Sequence, residues 1–115
     1  MKETFISFYL RCSRIHIFMS ALYGIGSPHR ICFMISSDGK SLLLVPYVKR
    51  DLKSHHVSPQ VYQGNMGCEI HSYKLCHILA EQFHWNLNKS YRIRGWIDSR
   101  KQAAIFQLDS AKVID

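Results

Sequence analysis

Apolar and polar residues follow the same plan in two stretches of the chain. Residues 30–45 (RICFMISSDGKSLLLV) consist of two apolar runs separated by the polar residues 37–40. Asp-Gly between two apolar runs is a strong signal for a β-hairpin. Residues 91–108 (YRIRGWIDSRKQAAIFQL) repeat the plan around the polar residues 98–102, and a shift of 62 positions aligns the two stretches. The pattern therefore predicts two hairpins that belong to two copies of one unit.

A strand and a helix are predicted before the first hairpin. Residues 4–10 (TFISFYL) are rich in aromatic and β-branched side chains, which favour a strand. Apolar residues recur with helical spacing from Ile15 to Leu22, so we predict a short helix with Ser13 as its N-cap. The alternation over residues 14–17 (RIHI) also fits a strand, which is the competing interpretation. Within the hairpin, residues 42–45 (LLLV) are apolar on both faces and predict a central strand.

The same elements are predicted before the second hairpin. Residues 68–70 (CEI) indicate a short strand, and Ser72 is the predicted N-cap of a helix that ends near His84. The apolar stripe of this helix is expected to be buried and consists of Leu75, Ile78, Leu79 and Phe83. In the following strand, alternation separates an inner set from an outer set, namely Tyr91, Ile93 and Ile97 from Arg92, Arg94 and Trp96. Residues 109–115 are mixed in character and are expected to pack on an edge of the sheet.

Both halves are thus predicted to be strand–helix–hairpin units, residues 1–46 and 68–115, joined by an irregular connection over residues 47–67. Neither unit has enough strands to bury its own apolar faces. We therefore predict an α+β fold in which the two units pack as a single domain about a pseudo-two-fold axis. A chain of 115 residues is long enough for such a shared core without disulfides or metals.

Composition changes this picture mainly through charge. The chain has 15 Lys and Arg residues against 8 Asp and Glu residues, a formal net charge of +7. Such an excess favours an anionic partner, either nucleic acid or an acidic protein surface. The four cysteines form no Cys-x-x-Cys pair, and we expect Cys32 and Cys76 to be buried thiols of a cytoplasmic protein. The apolar run of residues 5–10 is too short for a signal peptide or a membrane span, so no membrane contact is expected.

Residues 22–46 (LYGIGSPHRICFMISSDGKSLLLVP) resemble the core of the AbrB/MazE/MraZ-like swapped-hairpin family. In that family a short helix leads through a glycine and a tight turn into a hairpin, and MraZ-like members carry two such units in one chain. The resemblance implies a swapped-hairpin barrel and a DNA-binding transcription regulator or antitoxin. The family contacts DNA through basic residues between strand and helix, and Arg11 and Arg14 occupy that place here. The matching positions near His71 and Tyr73 carry no arginine, so we expect a lopsided footprint on double-stranded DNA.

Two further groups of basic residues are candidates for nucleic-acid binding. The outer set Arg92, Arg94 and Trp96 offers two guanidinium groups for phosphates and an indole for stacking on a base. The competing interpretation is a solvated strand face with Trp96 packed beneath a neighbouring segment. Residues Lys49, Arg50 and Lys53 form either a phosphate-contacting arm or an ordinary polar connection. A protein-interaction module (antitoxin, inhibitor or mobile-element accessory protein) and a homodimer are the alternatives to DNA binding.

Metal binding and catalysis have little support in the residue spacing. Cys68-x-x-His71 is followed by Cys76-His77, but adjacent residues of a helix point about 100° apart, which does not match a common zinc motif. His77, Glu81 and His84 share a helix face without forming the His-Glu-x-x-His pattern. The chain has no nucleophile elbow, P-loop or dinucleotide-binding fingerprint. We therefore expect no metal, no cofactor and no enzymatic activity.

Overall fold

All strands of the computed structural model, which describes residues 2–49, 51 and 53–114, belong to one antiparallel sheet. The strands are β1 (Lys2–Tyr9), β2 (Arg14–Ile17), β3 (Arg30–Ile35), β4 (Ser41–Pro46), β5 (Ser54–His56), β6 (Cys68–His71), β7 (Ser90–Asp98), β8 (Ala103–Gln107) and β9 (Lys112–Val113). The α-helices are α1 (Met19–Gly24), α2 (Pro59–Gly64) and α3 (Tyr73–Phe83). Short 3-10 turns cover Leu10–Cys12 and Leu108–Ser110. The α+β class predicted from the sequence is confirmed.

The strand order is β5-β3-β4-β8-β7-β1-β2-β6, and β9 pairs with the first part of β7. The sheet curls into a nearly closed, barrel-like arrangement, so the two predicted hairpins β3–β4 and β7–β8 lie side by side through the β4–β8 pair. The pseudo-two-fold relation between the units is not confirmed. The leading strand of the first unit, β1, pairs with β7, whereas its predicted counterpart β6 pairs with β2 and not with β3.

The segment after β1 is the clearest departure from the favoured prediction. Residues 14–17 form strand β2 and not the start of a helix, and α1 begins only at Met19. Strand pairing explains the choice, because β2 has a hydrogen-bonded neighbour on both sides, β1 and β6. In this arrangement Ile15 and Ile17 are completely buried. Ser13, the predicted N-cap, instead adopts a left-handed turn conformation with φ of 54°.

The first hairpin forms as the Asp-Gly signal predicts. Ile35 pairs with Leu42 across the turn, and Gly39 supplies the positive φ of 73° that the turn requires. The Asp38 carboxylate accepts hydrogen bonds from the Ser36 hydroxyl at 2.6 Å and from the Lys40 N–H at 3.0 Å. These bonds lower the pKa of Asp38 below its usual value. Strand β4 lies between β3 and β8, which confirms the predicted central strand.

The connection over residues 47–67 is more regular than expected. Strand β5 pairs with β3, and α2 begins with Ser58 as N-cap and Pro59 in its first turn. The Tyr62 hydroxyl donates a hydrogen bond to the Pro28 carbonyl, and burial raises the pKa of Tyr62 to about 12. This segment is therefore anchored to the sheet and does not act as a free linker.

The core fills the concave side of the curled sheet, and α3 contributes Cys76, Leu79 and Ala80 to it. The predicted stripe of α3 is partly wrong, because Ile78 is 40% exposed. The helix is rotated so that the Cys76–Leu79 side faces the core. Ile78 consequently faces a groove between α3 and β3. The predicted burial of Cys32 and Cys76 is confirmed. No helix in the described part of the chain is long and apolar enough to cross a bilayer.

Candidate nucleic-acid interface

Strand β7 presents two arginine side chains to solvent. Tyr91, Ile93 and Ile97 are buried on the concave side, so Arg92 and Arg94 point to the outer side, as alternation predicts. On the outer side, β7 has β1 as one neighbour and β9 followed by β8 as the other. Two arginine side chains separated by one residue on a strand begin about 7 Å apart. They therefore project from one short stretch of the sheet.

Arg92 lies directly opposite another cation. Its cross-strand partner on β9 is Lys112, and its partner on β1 is Ser7. The Arg92 Nε donates a hydrogen bond to the Ser7 hydroxyl at 3.2 Å, and the guanidinium carbon lies 5.2 Å from the centre of the Phe18 ring. Like charges directly opposite each other destabilise a sheet. A bound anion would remove this repulsion, which makes the Arg92–Lys112 pair a candidate phosphate contact.

Arg94 forms an ion pair with Glu3, whose Oε2 atom is 2.5 Å from the Arg94 Nε. The Arg94 side chain is 69% exposed, so water screens this pair strongly. Exposed ion pairs contribute about 0–1 kcal/mol, and a phosphate can therefore replace Glu3 at small cost. Arg94 is thus available to an anionic ligand despite its carboxylate neighbour.

A groove of about 370 Å³ lies between the outer side of β7 and the segment that carries β9. We call it the β7 groove, and its lining residues are Phe5, Arg92, Arg94, Ser110, Lys112, Val113 and Ile114. The charged residues that the structure describes in its lining are all cations, whereas Phe5, Val113 and Ile114 supply apolar surface. A ligand that matches this lining has negative charge next to an apolar body.

Arg14 extends the basic surface across β1 to β2. It shares the outer side with Arg92, at a diagonal distance of about 12 Å in a regular sheet. Its guanidinium carbon lies 4.4 Å from the centre of the Tyr9 ring, and its Nε is 2.9 Å from Glu69 Oε2, although the N–H is not aligned for a hydrogen bond. We refer to Arg14, Arg92, Arg94 and Lys112 together as the basic face.

The remaining predicted site residues are distributed over other surfaces. Arg11 lies in the 3-10 turn after β1, where its Nε donates to the Asn88 carbonyl at 3.0 Å. Trp96 is half-buried on the outer side between Glu3 and Ile105, next to the β7 groove but not lining it. Lys49 is exposed, Lys53 lines a second groove, and Arg50 lies outside the described residues. The structure therefore brings Arg14, Arg92 and Arg94 together but not the connection lysines.

Sequence reasoning missed Lys112 and Phe5 as parts of this site. Alternation along β1 could have placed Phe5 on the outer side, but its position next to Arg94 depends on the pairing of β1 with β7. Lys112 gave no such signal, because its position depends on the pairing of β9 with β7.

The second groove, which we call the α3 groove, lies between β3 and the first half of α3 and has a volume of about 670 Å³. Its apolar lining includes Met34 and Ile35 of β3 and Ile78 of α3, which are 51%, 38% and 40% exposed. Its charged lining residues are Lys53 and Lys74. The groove is thus apolar with a basic rim.

Within the described residues, no group of three or more His, Cys, Asp and Glu side chains is arranged to hold a metal ion. The histidine of the Cys76-His77 pair stacks on Tyr73 at 3.8 Å between ring centres. Burial raises the pKa of the neighbouring Cys76 thiol to about 11 and also raises that of Cys68. Both thiols are therefore protonated near neutral pH, the form in which a cysteine is a poor metal ligand.

Comparisons of the chain with protein-family models, with curated proteins and with solved structures found no match.

Proposed function

We propose that this protein binds DNA through the basic face. The observation that carries the proposal is the register of β9 on β7, which places Lys112 opposite Arg92 and next to Arg94 at the edge of one groove. Together with Arg14, this gives four cations on one side of the sheet, carried by three of the four neighbouring strands β2, β1, β7 and β9. Phosphate contacts of this kind are the main source of sequence-independent affinity for nucleic acid.

Among the described residues, Glu3 and Glu69 reduce the charge of this surface but do not neutralise it. Glu3 and Glu69 each form an exposed ion pair, with Arg94 and Arg14 respectively. Each pair contributes about 0–1 kcal/mol, whereas each phosphate that binds an arginine releases condensed counterions from the DNA. Low salt should therefore favour exchange of the carboxylates for phosphates.

The test compares two double variants that remove the same charge. Arg92→Ala with Arg94→Ala removes two cations from the basic face, and Arg100→Ala with Lys101→Ala removes two from the exposed turn before β8. Fluorescence anisotropy would measure the affinity of each protein for a labelled duplex and for one strand of it between about 50 and 200 mM salt. We expect the first variant to bind more weakly and to lower the salt slope on duplex by about 1.8, and the second to resemble the parent.

Equal weakening in the two double variants would contradict the proposal, because net charge and not the basic face would then determine affinity. No binding of the parent to either form of DNA at about 50 mM salt would also contradict it. Arg14→Ala provides a further check, since it should weaken binding while Arg11→Ala, outside the basic face, should not.

The resemblance of residues 22–46 to the AbrB/MazE/MraZ-like family extends the proposal to a transcription regulator with a swapped-hairpin arrangement. As a homodimer, such a regulator would present two basic faces to DNA. Light scattering after size-exclusion chromatography tests this part, because a monomer at the concentrations at which DNA binds would rule it out.

A second candidate function is docking of a protein partner in the α3 groove. Three exposed apolar side chains, Met34, Ile35 and Ile78, line this groove, and the charged residues beside them, Lys53 and Lys74, are cations. The complementary occupant is a segment of a partner protein that carries apolar and acidic side chains. Such binding would persist at high salt better than DNA binding does.

Selection from a displayed peptide library against the parent protein, with counter-selection on an Ile78→Lys variant, tests this candidate. We expect enriched peptides to contain apolar and acidic residues and to bind the parent but not the variant. If no enriched peptide distinguishes the two proteins, the α3 groove is not a docking site.

A further inference from the structure

We propose that the β7 groove holds a nucleotide of a single strand and that the protein prefers single-stranded to double-stranded nucleic acid. This inference rests on the proposed binding of DNA by the basic face and specifies the form of nucleic acid that the face accepts.

The lining of the groove is the first reason. Phe5, Val113 and Ile114 are apolar and lie beside cations of the basic face. A duplex presents phosphates to such a surface, but its base faces are covered by stacking, so the apolar lining would remain without a partner. A single strand exposes the faces of its bases together with its phosphates. The groove therefore complements a single strand in two ways: its apolar surface suits the bases, and its cations suit the phosphates.

The arrangement of aromatic rings is the second reason. Phe5 of β1 lies 5.8 Å from Phe18, ring centre to ring centre, and Phe18 in turn carries the Arg92 guanidinium above its ring. Phe5 is half-buried and lines the groove, so part of its side chain is accessible to a ligand there. Stacking of bases on aromatic side chains is the general means by which proteins hold single strands without reading their sequence.

The positions of the cations are the third reason. Arg92 and Arg94 begin about 7 Å apart along β7, and Lys112 lies across from Arg92 on the opposite side of the groove. A nucleotide whose base contacts Phe5 would have these three cations around its sugar-phosphate backbone. Phosphates on both sides of that nucleotide would then be neutralised while the base is held by apolar contacts.

The experiment compares a labelled thymidine homopolymer with a labelled random-sequence duplex of the same length, using the full chain. We expect the parent protein to bind the single strand at least about 10-fold more tightly than the duplex, because stacking adds to phosphate contacts only for the single strand. Phe5→Leu keeps an apolar residue in β1 but removes the ring, so it should weaken binding of the single strand more than binding of the duplex and abolish most of this preference. Phe5→Tyr keeps the ring and should retain the preference.

Two further variants keep the test decisive if Phe5→Leu destabilises the protein. Ile114→Ser alters the groove at a position that is 38% exposed and that alternation places on the same side of the sheet as Lys112, so it should weaken binding of the single strand more than binding of the duplex. Tyr23→Leu removes an exposed aromatic ring from α1, outside the groove, and should change neither affinity. The urea midpoint of each variant shows whether it is folded under the conditions of the assay.

The inference is overturned if the duplex binds as tightly as the homopolymer, or if Phe5→Leu and Ile114→Ser weaken both forms equally. In either result DNA binding by the basic face would stand, provided that Arg92→Ala with Arg94→Ala still weakens binding. If neither form binds, the proposed function itself fails, and this inference fails with it.

Discussion

Gly95 lies between Arg94 and Trp96, and we expect its replacement by alanine to destabilise the protein strongly. A Cβ atom at Gly95 would lie 2.3 Å from the backbone oxygen of Ile105 and 2.6 Å from Cδ1 of Phe106. Both atoms belong to β8, which is paired with β7 at this position and with β4 on its other side. The added methyl group can therefore be accommodated only if a central strand moves.

The size of the destabilisation caused by Gly95→Ala follows from the atoms that the new Cβ would contact. Overpacking a core costs about 1–3 kcal/mol, and the upper end applies here because the closest atom is backbone and not the end of a flexible side chain. We therefore expect the free energy of unfolding to fall by about 3 kcal/mol. With a urea m-value of about 2 kcal/mol/M, the midpoint should fall by about 1.5 M.

The assay is equilibrium unfolding in urea, followed by the fluorescence of Trp85 and Trp96. Gly64→Ala is the matched control, because a Cβ atom at Gly64 in α2 would meet no atom within 4 Å. This control should be neutral or stabilising by up to about 1 kcal/mol, since alanine reduces the conformational freedom of the unfolded chain. A change of less than about 0.5 kcal/mol in Gly95→Ala, or an equal loss in Gly64→Ala, would refute the reasoning.

Three other predictions follow from burial and capping. Desolvation, followed by the charge of Arg30, lowers the pKa of His55 below its ordinary value of 6.5. His55 therefore binds a proton more readily in the unfolded chain than in the folded protein, so the stability of the fold should decrease as the pH drops below 6.5. Unfolding free energies at about pH 7.5 and about pH 5.5 should therefore differ more for the parent than for His55→Gln, and equal differences would refute this. A thiol reagent at about pH 8 should modify exposed Cys12 quickly in the native protein, and rapid labelling of the three buried thiols, Cys32, Cys68 and Cys76, would contradict the structure. Ser72 is the N-cap of α3, and its hydroxyl oxygen accepts a hydrogen bond from the Leu75 N–H at 3.2 Å. In urea unfolding, Ser72→Ala should therefore lower the free energy of unfolding by about 1 kcal/mol, and an unchanged value would contradict this role.

Local sequence determined the two hairpins and the two faces of β7. The turn at Asp38 and Gly39 forms through its own side-chain and backbone bonds, so it depends on few residues outside the turn. Alternation places successive side chains on opposite sides of a strand, which is why the outward position of Arg92 and Arg94 could be predicted without knowing the neighbours of β7.

Tertiary pairing decided the elements for which the local pattern was ambiguous. The spacing from Ile15 to Leu22 favours a helix, whereas the alternation over residues 14–17 also fits a strand. The strand forms because β1 and β6 offer hydrogen bonds on both of its sides. Likewise, the amphipathic pattern of α3 does not specify how far the helix rotates against the sheet. The packing of Cys76 and Leu79 in the core set that rotation and left Ile78 in a groove.

The candidate site depended on tertiary structure for the same reason. Arg92 was predicted from the pattern within β7, but Lys112 reaches it only because β9 pairs with β7. Lys53 has the same charge as Lys112, and its local sequence was as compatible with a place in the site. It lies in the α3 groove instead, because β5, which follows it directly, pairs with β3. Sequence alone thus determined which side chains point outward. Strand pairing determined which of them come together, and the local pattern could not predict this because the pairing depends on contacts between residues far apart in the chain.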